Sequence, residues 1–313
     1  MPNRLAALSM SPVMREFAQG AAQSAIQPIG DFIAPTVNVG TAVGRYKVYS
    51  EKNRFYIPNT LRGVGGRAVE LSFTATDATY NCVPHALDFP VDNLEALEEA
   101  GLENTLQEGA QMIAEVGALS HEKDVIVLAK AVAAATAGGS ATWATSAIDP
   151  VKEIDTGILA VIKAAKYGSR MVPRIVFGAQ AFVDFKNAYH VKAKFISAGR
   201  SPAQVAIPTM ENIRALFVGE PEVMVALNAE DTKPEGVAET AAFLLDTDVL
   251  IFAANPNPTR RDPSYMKTFR LANQWMVPGS YVRDDGRVEV AKFDWSEHVV
   301  VTNSAAVYRI SGA

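Results

Sequence analysis

The sequence predicts an α+β fold: a two-stranded ribbon, then one long helix, then a mixed α/β region closed by apolar strands. Three observations lead there. Residues 104–137 contain no proline and are rich in Ala, Leu, Glu and Val. Helix-like and strand-like runs alternate after residue 149. The charge is split sharply: residues 45–67 carry six bases and one acid, and residues 68–122 carry eleven acids and no Lys or Arg.

The chain has 313 residues, enough for one large domain or two modest ones. It is 49% hydrophobic and 20% charged, ordinary for a folded soluble protein. A net charge of -5 argues against a dedicated nucleic-acid binder, which shows a basic face. Cys82 is the single cysteine, so no intrachain disulfide forms, and it reads as a small buried hydrophobe. No apolar run approaches the ~18–20 residues of a membrane span. The start is too weakly apolar for a signal peptide.

Ser11-Pro12 reads as an N-cap and first-turn proline, with Val13, Phe17, Ala21 and Ala25 following on one helical face. Pro28, Gly30 and Pro35 end that helix, so residues 1–40 read as an arm outside the core. Tyr46–Ser50 and Val69–Thr76 have strand composition, and the second alternates apolar and polar residues. Between them, residues 58–66 end in Gly63-Val64-Gly65-Gly66, a flexible tip. Such a ribbon is marginal alone and needs a surface to lie on.

The helix at 104–137 reaches roughly 50 Å at ~1.5 Å per residue. Glu108, Glu115 and Glu122 drift slowly around one face, and Gly109 and Gly117 lower local helix propensity. Gly138-Gly139 ends the helix and Asp149-Pro150 caps the next. Arg174–Phe177 then reads as a strand, Ala179–Ala188 and Met210–Leu216 as helices, and Val223–Leu227 and Phe243–Ala253 as strands. Tyr281–Val290 reads as a hairpin turning at Asp285-Gly286. His298–Thr302 and Ala306–Ile310 close the chain.

Chemistry-bearing motifs are weak. His85, His121, His190 and His298 show no metal-ligand spacing and read as surface or half-buried polar residues. The glycines at 63–66 lack the lysine and the strand-to-helix context of a phosphate loop. Gly178-Ala179-Gln180-Ala181 sits where a hydrolase elbow would hold a nucleophile, but no serine is there. Asp246 and Asp248 would share one strand face, and without a nearby base they read as structural. Arg260-Arg261-Asp262 reads as a loop ion pair. The expectation is therefore no catalytic set, no cofactor and no metal site.

The order of elements resembles the major capsid proteins of tailed bacteriophages, of the Hong Kong 97-like fold. Asp31-Phe32-Ile33-Ala34-Pro35 resembles the arm segment before the extended loop. Thr79-Tyr80-Asn81-Cys82 resembles the run into the spine helix. Thr142-Trp143, Asp149-Pro150 and residues 171–178 (MVPRIVFG) resemble the entry to the axial domain. Asp262-Pro263-Ser264-Tyr265 with Thr268-Phe269-Arg270 resembles the late axial segment, and residues 299–306 (VVVTNSAA) the closing strands.

The resemblance implies an N-terminal arm at 1–45, an extension loop at 46–79, a peripheral domain at 80–148 and 282–313 and an axial domain at 149–281. It also implies an icosahedral virion shell of hexamers and pentamers, assembled in the host cytoplasm, enclosing double-stranded DNA held by weak nonspecific proximity. The arm starts almost at once, so any scaffolding protein is expected to be separate. A portal and a decoration protein are further partners of such shells.

In that family the extension loop of one subunit lies over the spine region of the next. The expected interface is then Arg45, Lys47, Lys52, Arg54, Arg62 and Arg67 facing Glu95, Glu98, Glu99, Glu103, Glu108 and Glu115 of a neighbour, where opposite potentials fix register. Charge alone does not separate this from a chance run on two solvated faces. Two rival functions remain: a nanocompartment (encapsulin-like) shell of the same fold enclosing an enzyme, and a soluble α/β enzyme.

Overall fold

The computed structural model describes residues 27–49, 57–71, 75–92, 102–136, 143, 148–165, 173–196, 209–233, 236–260 and 262–312. The helix expected at 11–25 lies outside them.

The chain enters through a short helix, α1 (Ile29–Ile33), and strand β1 (Thr36–Val39). The ribbon follows as β2 (Val43–Tyr49) and β3 (Ala75–Asn81), then β4 (Val83–Asp92) and the long helix α2 (Leu102–Lys130). After β5 (Ala134–Thr136) come α3 (Pro150–Ala165), β6 (Pro173–Phe177), α4 (Ala179–Asn187), α5 (Tyr189–Ile196) and α6 (Met210–Arg214). Strands β7 (Glu222–Val225), β8 (Ala229–Asp231), β9 (Ala241–Phe243) and β10 (Val249–Ala253) follow. The chain closes with β11 (Met266–Leu271), β12 (Val277–Val282), β13 (Val288–Val301) and β14 (Val307–Ser311).

Two five-stranded sheets organise the molecule. In the first, ordered β1-β11-β13-β12, strand β13 is the spine of the sheet and also pairs with β4. Its inward residues Phe293 and Trp295 meet Ala110, Ile113 and Ala114 of α2, with Val91 and Met276 filling between. In the second, ordered β5-β14-β10-β6-β7, every residue of β6 and β10 is buried. Such continuous apolar runs signal a sheet covered on both faces. Ile154, Ile158 and Val161 of α3, Phe185 of α4 and Val125, Ile126 and Ala129 of α2 share its core.

Several expectations change. Residues 27–39 are not an arm outside the core: Ile29, Ile33 and Ala34 are fully buried, and β1 pairs in parallel with β11. The long helix ends at Lys130, not 137. The Arg309 guanidinium donates to the carbonyls of Lys130 and Val132, and Ala134–Thr136 pair with β14 instead.

The returning ribbon strand starts at Ala75, not Val69. Its register runs from Val43 opposite Asn81 to Tyr49 opposite Ala75, anchored where Tyr80 stacks on Phe269 at 4.7 Å. Strand β4 was hidden by Pro84 and Pro90, which an edge strand tolerates. The expected strand 243–253 breaks into β9 and β10 because residues 245–248 turn to cap α4: the amides of Gly178, Ala179 and Ala181 donate to carbonyls of Asp248, Leu245 and Asp246. The second carboxylate, Asp248, receives Arg309, so both aspartates are structural.

Candidate subunit interface and a buried charge cluster

The ribbon leaves the body at a small apolar base of Val37, Val39, Tyr46, Tyr80, Cys82 and Phe269. Cys82 is buried there, as expected, its thiol pointing to the Phe269 carbonyl. Beyond the ribbon, residues 57–71 are solvent-exposed almost throughout, and a turn at Gly65 (φ 81°) closes Gly66 N–H onto the Gly63 carbonyl. Ile57, Leu61 and Val64 of this segment are 88–109% exposed, and Val69 and Leu71 more than half exposed. No core of their own covers these side chains.

The predicted interface residues fall into three groups. Arg45, Lys47, Arg62 and Arg67 are exposed, Lys47 standing opposite Asp77 in the ribbon. Glu108 and Glu115 lie on α2, Glu108 exposed and Glu115 accepting from Gln111 Nε2 at 3.0 Å. Lys52, Arg54, Glu95, Glu98 and Glu99 lie outside the described residues, and Glu103 lies in α2 with its side chain outside the description. Among the described residues, no ion pair links the ribbon or residues 57–71 to α2.

A groove of about 390 Å³ runs between the last turns of α2 and strands β4 and β13, lined by Val83, His85, Asp124, Val127, Leu128 and Val299 among others. Its lining is mostly apolar, with His85, Asp124, Glu297 and His298 as its polar members. Val83 and Val127 are about half exposed.

Sequence reading missed a second feature, a cluster of buried charges where α1, α2 and the first sheet meet. His121 Nδ1 on α2 lies 3.0 Å from Glu297 Oε1 on β13. The other carboxylate oxygen of Glu297 accepts from Arg270 on β11 at 3.0 Å. Arg270 stacks 3.5 Å from the Trp275 ring. The neighbouring Glu122 accepts the Gly30 amide of α1 at 2.6 Å. His121 and Glu122 are each only 4% exposed, contrary to the surface or half-buried reading of the histidines. The signal was available: His121 sits three residues after Ala118 and four before Val125, on the apolar face of the helix.

Burial sets the charge states. It pushes Glu122 up to about 7, with His121 and the Gly30 amide pulling partly back and Asp31 adding to the rise. Burial alone would lower His121, but the bond and charge of Glu297 outweigh it and hold His121 above its ordinary value. Burial would raise Glu297, but His121 and Arg270 together hold it below the ordinary carboxylate value.

In the 260–262 stretch Asp262 forms an ion pair with the buried Lys267 at 2.9 Å, Arg260 sits 5.8 Å from the Tyr80 ring, and Arg261 lies outside the described residues. Among the described residues no His, Cys, Asp and Glu are grouped to hold a metal ion, and no helix is long and apolar enough to cross a membrane.

No protein-family model matches the chain. The major capsid protein of Pseudomonas phage JBD67 is 27% identical over 146 residues, 45% of this chain and 47% of that protein. The match thus spans about half the length of this curated relative.

Among solved structures, a phage-related protein of Bordetella bronchiseptica RB50 superposes with a TM-score of 0.69 at 20% identity, covering 98% of both chains. The mature capsid of bacteriophage PhiM1 gives 0.54 at 11% identity, covering 89% of this chain and 85% of that one. An encapsulin complex of Synechococcus elongatus PCC 7942 gives 0.53 at 10% identity, covering 92% and 88%. With its ribbon, long helix and two five-stranded sheets, the chain has the α+β fold of the phage capsid proteins, the Hong Kong 97-like fold.

Proposed function

We propose that this chain is the major capsid protein of a tailed bacteriophage and builds its icosahedral head from hexamers and pentamers. The observation that carries the reading is the segment 57–71, which holds five apolar side chains and two arginines away from any core of its own. Exposed apolar surface of this kind marks an interaction site. In the proposal, residues 46–79 are the extension loop and cover the spine helix of a neighbouring copy. The groove beside Val83, Asp124 and Val127 suits the loop's apolar side chains and arginines. Residues 1–45 form the N-terminal segment, docked into the body at 27–39, with 80–148 and 282–313 the peripheral domain and 149–281 the axial domain.

The role is structural and not enzymatic, and no cofactor enters it. Repeated head-to-tail contacts close into rings when the rotation allows, which is the geometry a shell needs. The acidic balance suits a lining that holds packaged DNA only by weak nonspecific proximity, because strong phosphate contacts would hinder release. A separate scaffolding protein, a portal and a decoration protein complete the proposed partners. The location is the virion, with assembly in the host cytoplasm and no membrane partner.

The encapsulin likeness in fold supports a second shell reading, in which the particle encloses protein cargo. The capsid relative favours the first. Size-exclusion chromatography with light scattering on the purified chain tests the shell: capsomers or megadalton particles are expected. A stable monomer or dimer would favour an α/β enzyme instead. Nuclease-protected DNA inside particles from infected cells separates a phage head from a cargo shell.

A further inference from the structure

We propose that Glu122, sealed between the Gly30 amide and His121, is the trigger of a proton-controlled latch that fastens residues 27–35 to the long helix and loosens them as the pH rises. The proposal goes beyond shell assembly and holds for a single subunit.

Two surfaces grip α1. On the sheet side, Arg174 donates to the Phe32 carbonyl at 3.1 Å and lies over the Phe32 ring, Asn228 Nδ2 donates to the Gln27 carbonyl, and Thr268 Oγ1 donates to the Ala34 carbonyl. Ile29 and Ile33 fill the core. None of these contacts titrates near neutrality. On the helix side the grip is different. Two titratable groups of α2 meet α1: Glu122 holds the Gly30 amide, and His121 Nε2 lies 4.0 Å from Asp31. That Nε2 is buried and has no hydrogen-bond partner, so its state depends on the charges around it.

The approach is tight. A β-carbon on Gly30 would stand 3.1 Å from both Glu122 Oε1 and His121 Nε2. The remaining charges facing the site are Arg270 on β11 and Glu297 on β13, and Trp275 packs edge-on against the His121 ring.

The direction follows from the charge states. Buried Glu122 titrates at about 7 against 4.5 when exposed, because burial and the Asp31 charge outweigh the Gly30 amide, whose bond to the carboxylate pulls the other way; undocking that exposes Glu122 therefore releases a proton. Its contribution is full below the exposed value and is lost as pH rises to the docked one. His121 is raised chiefly by Glu297 on β13; what α1 adds is the Asp31 charge, which raises it further and acts in the same direction, full below 6.5 and lost as pH rises through the docked value. Glu297 opposes them only in acid, because its lowered value preserves its contribution above 4.5 and loses it below. Docking is therefore tightest in mild acid. Above neutrality Glu122 joins Glu297 as an anion, and the Arg270 guanidinium is paired to Glu297.

Hydrogen exchange of the 29–34 amides tests this, scored as protection relative to an unstructured chain at the same pH. Between about pH 5.5 and about pH 8.5 the wild-type subunit is expected to lose protection there by about tenfold. The core strand β10 is expected to change little. Glu122→Gln is expected to flatten the profile. An unchanged slope in Glu122→Gln, or a flat wild-type profile, overturns the latch. Should Glu122→Gln not fold, the exposed substitution Asp31→Asn serves: it removes a charge that raises both Glu122 and His121, so the midpoint moves to lower pH. A midpoint that stays in place overturns the proposal equally.

Discussion

The ring of Phe89 on β4 occupies the space that a β-carbon on Gly109 of α2 would need. The same relation recurs one face-turn later, where a β-carbon on Gly117 would stand 2.5 Å from Met276 Cε. These glycines do not break the helix, which runs from Leu102 to Lys130. They let the edge strand and the Trp275–Met276 turn press onto it.

Gly109→Ala is therefore expected to destabilise the subunit, although alanine ordinarily improves a helix interior by ~1 kcal/mol. Overpacking at ~1–3 kcal/mol outweighs that gain. Thermal unfolding of Gly109→Ala should show a lower midpoint. Gly63→Ala, where an added β-carbon meets nothing within 4 Å, serves as the neutral control. A stabilised Gly109→Ala would mean that the strand-to-helix packing is looser than described.

Arg270→Met is expected to cost ~3–5 kcal/mol, because it leaves the buried Glu297 carboxylate with His121 alone. The loss should grow as the pH rises and His121 releases its proton, which leaves Glu297 without a cation. Denaturant titrations at mildly acidic and mildly alkaline pH measure this. A change below about 1 kcal/mol at both, the size of an exposed pair, would show that the cluster is open to water.

Arg62→Glu with Arg67→Glu is expected to impair particle formation and leave the subunit folded. Exposed pairs contribute only ~0–1 kcal/mol each and are screened by salt, but repetition over a shell makes register sensitive to their sum. Electron microscopy for particles and circular dichroism for folding report the two halves of the outcome. Normal particles from the double variant would remove charge from the account of assembly.

Covalent cross-linking between subunits is not expected. Lys47 is an exposed ribbon lysine opposite Asp77, a solubilising edge charge with no dry pocket around it. Particles boiled in SDS should run as one band near 33.6 kDa. A ladder of covalent oligomers would make Lys47 and Lys52 reactive-site candidates.

Much of the architecture was legible because it rests on local signals. The Pro150 helix, the Arg174–Phe177 strand and the Asp285-Gly286 hairpin each carry a cap, an apolar run or a turn dipeptide, and each forms where expected. The failures share another cause. Where α2 stops depends on Arg309, 179 residues from the carbonyl it caps. The break before β10 depends on a turn that caps another element, α4. Prolines concealed β4, although its edge position tolerates them.

The interface residues were legible as charge, but a single subunit does not show what they touch. The cluster of His121, Glu122, Arg270 and Glu297 was invisible as a set because its members come from three elements far apart in sequence. Charge runs speak of surfaces, and these four are buried.

Electron cryomicroscopy of assembled particles tests the central claim most directly. The account predicts a closed icosahedral shell in which residues 57–71 of each subunit lie on the α2 face or the Val83–Asp124–Val127 groove of a neighbour, with Arg62 and Arg67 facing its acids. A shell in which that segment folds back on its own subunit, or a chain that forms no particle under any assembly condition, would contradict it.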